Sequence, residues 1–187
     1  MLEKVPHALG HALEGVRAGM EKTAFEDAGL KGAGAVRVTS STFTEGAALP
    51  MRSTEDGEGV SPSLAWSGAP EGAACAVLVV EDADSPTPEP IVHCLAWDLP
   101  ANGELAAGAL NEGGPDAPAL GRNSFRKIGW LPPDPPTGHG PHRYLFQVFA
   151  LSDQPDLKPG AGKGEVLDAI RPLTLGSGRL IGTYERA

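Results

Sequence analysis

The most regular stretch of the chain runs from His142 to Leu151. His142, Tyr144, Phe146, Val148 and Ala150 alternate there with Arg143, Leu145, Gln147, Phe149 and Leu151, and a period of two is that of a strand with side chains on both faces of a sheet. Ala74 to Val80 and Ile91 to Leu99 are unbroken apolar runs with β-branched residues, which predicts strands covered on both sides. Val36, Val38 and Phe43 mark a further strand over 35–43, and Leu180 to Tyr184 a closing one. Helical spacing appears near the two ends. Leu2, Val5, Leu9, Leu13, Val16 and Met20 recur at steps of three and four and predict an amphipathic helix over 2–21, while Gly164 to Arg171 reads as a short helix stopped by Pro172. Asn102 to Lys127 turns to Gly, Ala, Asn and Pro, and Leu131 to Pro141 holds five prolines in eleven residues, which a loop accommodates and an interior strand does not. With no repeat and no βα alternation, the pattern predicts a mostly β, antiparallel fold with peripheral short helices. Gly32-Ala33-Gly34 divides it into an N-terminal helical extension, 1–34, and a domain over 35–187.

Composition sharpens this picture. The 25 glycines and 18 prolines suit many turns between short strands, and 41% hydrophobic residues are enough for a packed core. A formal net charge of −9 excludes a nucleic-acid surface, which needs clustered Lys and Arg. No window approaches the roughly 18 consecutive apolar residues of a membrane span, and the N-terminus lacks a signal-peptide pattern. The expectation is a cytoplasmic protein without stable membrane insertion. Cys75 and Cys94 both sit in apolar runs and are expected to be buried, reduced and unpaired.

Chemistry-bearing residues are few. Asp82-Ala83-Asp84-Ser85-Pro86 leaves the first buried strand, either as an Asx turn capping it or as a pair of functional carboxylates. His93 lies in the second apolar run, where a satisfied core histidine competes with a functional one. His142 and Tyr144 share a strand face. His139 is a loop residue with no assigned task, and His7 and His11, four apart on the expected helix, read as solvated. Gly32-Ala33-Gly34 and Gly176-Ser177-Gly178 lack the strand, turn and helix context of a dinucleotide site.

Taken in order, these segments resemble one family. Ser61-Pro62-Ser63-Leu64-Ala65-Trp66-Ser67-Gly68-Ala69-Pro70-Glu71-Gly72, a buried strand, Asp82-Ala83-Asp84-Ser85-Pro86 and His93 are similar to the first half of the phosphatidylethanolamine-binding protein pattern. Gly121-Arg122-Asn123-Ser124-Phe125, Gly129-Trp130 and Pro135-Pro136-Thr137-Gly138-His139-Gly140-Pro141-His142-Arg143-Tyr144 resemble its second half, and Gly182-Thr183-Tyr184 fits the bacterial, Raf-kinase-inhibitor-like branch. The resemblance spans about residues 36 to 186. Ala83, Ser85, Trp130, Leu131, Pro132 and Asp134 stand where members commonly carry Pro, Ala, Tyr, Gly, Gly and Cys. Pro132 removes a backbone N–H and predicts a pocket wall of altered shape.

The resemblance implies two antiparallel sheets with a small cavity for a phosphate- or carboxylate-like anion and no cofactor. Its site residues would be Asp82, Asp84, His93, His142 and Tyr144, with Pro86 and the loop from Trp130 to Pro136, Pro133 included, at the rim. Imidazole N–H and phenol O–H groups suit an anion; Asp82 and Asp84 would orient histidines or loop amides rather than face it. The implied partners are a small anionic ligand and, as for other members, a kinase or protease to be regulated; a homodimer stays open. The N-terminal helix precedes every motif and is expected to be dispensable for the pocket. Two other classes compete. A hydrolase-type enzyme would use a His/Asp general base, but there is no Gly-x-Ser-x-Gly elbow and both cysteines look buried. A metal-site protein would use His93, His142 and a carboxylate.

Overall fold

The computed structural model describes residues 11–114 and 116–186. Its larger sheet has six strands in the order β1 (Gly34–Ala35), β9 (Thr174–Tyr184), β8 (His142–Leu151), β4 (Cys75–Asp82), β5 (Ile91–Pro100) and β7 (Ala119–Leu120). The smaller has three, β2 (Arg37–Thr39), β3 (Leu64–Ser67) and β6 (Gly103–Leu105). Neighbouring strands are antiparallel except β1 with β9. Helix α1 (Lys163–Ile170) packs on the large sheet.

Two apolar layers explain the unbroken hydrophobic runs. On one face of the large sheet Ala76, Leu78, Val80, Tyr144, Phe146 and Val148 meet Val38, Leu64 and Trp66 of the small sheet. On the other, Val77, Val79, Leu95, Trp97, Phe149 and Leu151 meet Val166, Leu167 and Ile170 of α1, together with Ala24 and Leu30. Every residue of β4 is buried because it feeds both layers alternately. Cys75 and Cys94 fall in opposite layers, so their thiols are free and face apart. Burial pushes both thiols above the ordinary range.

Four expectations need correction. The closing strand begins at Thr174, not Leu180. Its glycines hid it, and they are required: a Cβ on Gly178 would come within 1.7 Å of the Val36 carbonyl oxygen. The segment from Asn102 to Lys127 contains β6 and β7, and the first strand region ends at Thr39, leaving Phe43 buried in a loop. Of the N-terminal helix, Leu2, Val5, Leu9 and His7 lie outside the described residues. Beyond residue 12 the chain is not helical: after a turn it reaches Gly19 at φ 108 and continues as short 3-10 turns, Met20–Lys22, Ala24–Glu26 and Ala28–Leu30. The Ala18 and Gly19 amides donate to the Ser85 and Ala83 carbonyls, tertiary bonds that replace those of a helix.

Gly178→Ala is expected to cost about 3 kcal/mol or more, because the clash is with backbone rather than with a movable side chain. Gly164→Ala, in α1 with nothing within 4 Å of the added carbon, is expected to stabilise by about 0.4–1 kcal/mol. Urea denaturation of the two variants checks both signs.

Candidate functional site

β4 runs antiparallel between β5 and β8, so its last residue lies beside the first residues of both. Asp82 is in register with Ile91 on one side and Tyr144 on the other. The Asp82–Ser85 turn, His93 and His142 therefore meet at one end of the sheet. A bulge sets His93: Val80 pairs Cys94 and Glu81 pairs Val92, leaving His93 as the extra residue. Its ring then lies 5.1 Å from Tyr144 and 6.3 Å from Trp130, centroid to centroid.

The turn serves structure and site together. Asp82 Oδ1 accepts the Asp84 amide at 2.8 Å, and its Oδ2 faces His142 Nδ1 at 2.7 Å. Asp84 accepts the Arg143 amide at 2.9 Å and two guanidinium bonds from the same residue at 2.7 Å, with Arg17 at 3.2 Å. Burial alone would raise the Asp84 carboxyl; the Arg143 hydrogen bonds and charge, with Arg17, outweigh it and hold the group below the usual carboxylate range.

His93 is buried, with Nδ1 at 2.7 Å from the Leu131 carbonyl, while the Leu131 amide donates to the His93 carbonyl at 2.8 Å. A carbonyl only accepts, so Nδ1 carries the proton. Burial pushes His93 below the ordinary histidine range, against the charge of Asp82 and the Leu131 bond. The ring is therefore neutral and turns an Nε2 lone pair outward from that bond. Nε2 has no hydrogen-bond partner among the described residues, nor has the buried Tyr144 hydroxyl. Burial holds the Tyr144 phenol well above its ordinary value and so protonated.

These groups border a cavity of about 150 Å³. Asp82, His93 and His142 form its buried floor, and Pro86, Ile91, Leu131 and Pro132 an apolar wall. Glu55, Phe125, Lys127 and Asp134 stand toward the mouth, with Asp134 ion-paired to Arg186.

Of the residues expected at the site, Asp82, Pro86, His93 and His142 line the cavity, and Asp84, Pro133 and Tyr144 do not. Asp84 is turned to its arginines, Pro133 is buried with its carbonyl on the Glu55 amide, and Tyr144 stands behind the histidines, stacked on His142 at 6.4 Å. A second correction concerns His142. It presents no donor to a ligand, since Nδ1 is held by Asp82 and Nε2 by His139 Nδ1 at 2.7 Å. The same engagement removes it as a metal ligand, and no group of three or more metal-ligating side chains occurs among the described residues. Glu55, Phe125 and Lys127 were not foreseen. Asn123 had supplied a signal within the quoted motif: its side chain accepts the Phe125 and Lys127 amides and donates to the Gly129 carbonyl, fixing the loop that carries both residues.

Comparison with known proteins identifies the family and the fold. The sequence profile described as phosphatidylethanolamine-binding protein matches residues 39–185, and the chain belongs to that family. A UPF0098 protein of Pyrococcus horikoshii is 36% identical over 150 residues, 79% of this chain and 75% of that one. A Mycobacterium tuberculosis protein named as a lipoprotein, LppC, is 36% identical over 149 residues, 79% of this chain and 71% of its own. Among solved structures, a phosphatidylethanolamine-binding protein homologue from Chlamydia trachomatis superposes with a TM-score of 0.74 at 31% identity, covering 82% of this chain and 99% of that one. Escherichia coli YbcL gives 0.76 at 28%, covering 81% and 99%. No helix among the described residues is long and apolar enough to cross a membrane.

Asp84→Asn is expected to cost about 1.5–3 kcal/mol at pH 7, the scale of hydrogen bonds to a charged group. A carboxyl held low in the fold contributes above its unfolded value of about 3.9 and loses that contribution as pH falls through its folded value. The stability gap between wild type and variant should therefore close below pH 4 in urea titrations; a gap as wide at pH 2.5 as at pH 7 would contradict the assignment.

Proposed function

We propose that this chain is a ligand-binding protein rather than an enzyme, and that its cavity takes a small oxyanion of phosphate or carboxylate type. The observation that carries this is His93 Nε2, a buried nitrogen on the cavity floor without a partner. Leaving such an atom unmade costs about 1–3 kcal/mol. An oxyanion meets it either by bringing its own hydrogen or by binding together with a proton that the ring takes up. The cavity of about 150 Å³ has room for a small oxyanion group, and Lys127 adds a cation at the mouth. Catalysis has little support. His142 has both nitrogens engaged, and the Ser85 hydroxyl pairs with Thr87 rather than with an imidazole, so at the cavity no nucleophile stands beside a base among the described residues.

Regulation of a kinase or protease is the protein-level half of this reading. It rests on the family and on the exposed Phe125 beside the cavity mouth. A cytoplasmic location rests on the two free thiols; the lipoprotein name of one relative makes cell fractionation its test.

Sulfate keeps its charge from pH 5.5 to 8, so only the protein titrates. Because His93 is neutral in the free protein, sulfate can accept from Nε2 only after one proton is added. Its affinity should rise as pH falls, by up to about tenfold per unit, and calorimetry in buffers of different ionisation enthalpy should count about one proton taken up. His93→Gln, whose amide can donate without titrating, should bind sulfate with a much flatter pH profile. Undetectable sulfate binding at pH 5.5, or equal wild-type affinity at pH 5.5 and 8, would overturn the reading.

A further inference from the structure

His139 is fully buried, and both of its ring nitrogens are engaged. Nε2 lies 2.7 Å from the Leu13 carbonyl and 3.2 Å from that of Val16, and Nδ1 lies 2.7 Å from His142 Nε2. His142 Nδ1 completes a chain of contacts at Asp82 Oδ2, 2.7 Å away. Carbonyl oxygens donate nothing, so His139 Nε2 must carry hydrogen. At 2.7 Å the two facing nitrogens of the ring pair need one hydrogen between them, since two lone pairs or two N–H groups would repel. A third hydrogen must lie between His142 Nδ1 and Asp82. Two neutral imidazoles and a carboxylate supply only two.

We propose that Asp82, His142 and His139 together hold this third proton, so that an imidazolium, balanced by the Asp82 carboxylate, forms the cavity floor and fastens residues 13–17 to it. Asp82 also accepts the Asp84 amide on its other oxygen, so both carboxylate oxygens are engaged. Burial holds His139 below the ordinary histidine range, and the third hydrogen lies between His142 Nδ1 and Asp82 Oδ2, 2.7 Å apart. The other groups around the chain do not supply the missing hydrogen. Arg17 donates to the His139 and Pro141 carbonyls and pairs with Asp84, as Arg143 does. Tyr144 stacks on His142, Tyr184 is its register partner on β9, and the neutral His93 lies across the cavity with Glu55 and Asp134 farther out.

This deepens the anion reading and rests on it for one consequence: a cavity bordered by Asp82 and Glu55, with Asp134 paired to Arg186, accepts an anion because the ring pair compensates the Asp82 charge. The proton count itself is independent of any ligand. Two-bond proton–nitrogen NMR of the full chain at pH 7 is expected to show three ring hydrogens on the His139 and His142 nitrogens, one strongly downfield and shared. His139→Phe should leave His142 with one ring hydrogen, speed amide exchange at Ala18 and Gly19, and weaken sulfate binding at pH 7 about tenfold, which is about 1.4 kcal/mol. Two ring hydrogens in the wild type, with the Asp82 side-chain carboxyl carbon (Cγ) reporting an ionised carboxylate, would overturn the proposal whether or not sulfate binds. Three ring hydrogens without sulfate binding to either protein would uphold the shared proton and refute the anion reading. Equal sulfate affinity in both proteins, with binding intact, would refute the role assigned to the charge.

Discussion

The contact between Asp82 and His142 is the constraint on which the rest of the site depends. A carboxylate and an imidazole buried together are costly unless each is otherwise satisfied. Here the second carboxylate oxygen takes the Asp84 amide and the second imidazole nitrogen takes His139. That arrangement exists only because β4 ends where β8 begins, with Asp82 in register with Tyr144, two residues along from His142. Asp84 then locks the same corner by holding the Arg143 backbone and side chain. The turn, the strand pairing and the imidazole orientation are one interdependent unit.

The two apolar layers explain why the site lies where it does. With the small sheet covering one face of β4, β5 and β8 and α1 covering the other, polar chemistry is confined to the strand ends. The proline-rich loop after Trp130 closes that end with little backbone freedom. Leu131 supplies both its N–H and its C=O to His93. Pro132 follows directly on the cavity wall, so the missing N–H at that position removes no bond to His93. Pro132 thus forms wall while Leu131 alone holds the histidine.

What was legible in the sequence follows from range. The strand His142–Leu151 was readable because its two faces enter two different apolar layers, each recorded in every second residue. Of β9 only the end from Leu180 to Tyr184 was, since glycines at 176, 178 and 182 answer to neighbouring backbone and side chains and carry no hydrophobic signal. The Asp82 turn, His93 and His142 were found through ordered motifs, but which of them line the cavity was not: Tyr144 shares the strand face of His142 and nevertheless sits behind it. His139 was unreadable for a different reason. Its partners include main-chain carbonyls more than 120 residues away, and a carbonyl has no sequence identity to recognise.

The N-terminal segment shows the same limit at larger scale. The family profile begins at residue 39, which invites the view that everything before it is an appendage. Yet Leu30 and Ala24 are buried in the layer beneath α1. The Ala24 amide donates to the fully buried Glu81, whose other carboxylate oxygen takes Lys163 of α1, and the Phe25 amide donates to Gln147, itself bonded to Glu81. Without residues 13–30, Glu81 and Gln147 lose main-chain donors, and His139 loses the carbonyl that orders its proton. A chain cut at the profile boundary would have to rearrange on the face opposite the small sheet and at the cavity floor alike. Residues 13–30 are thus a covering layer of the domain, joined to the pocket through the His139–His142 ring pair and through the Ala18 and Gly19 amides on the Ser85 and Ala83 carbonyls.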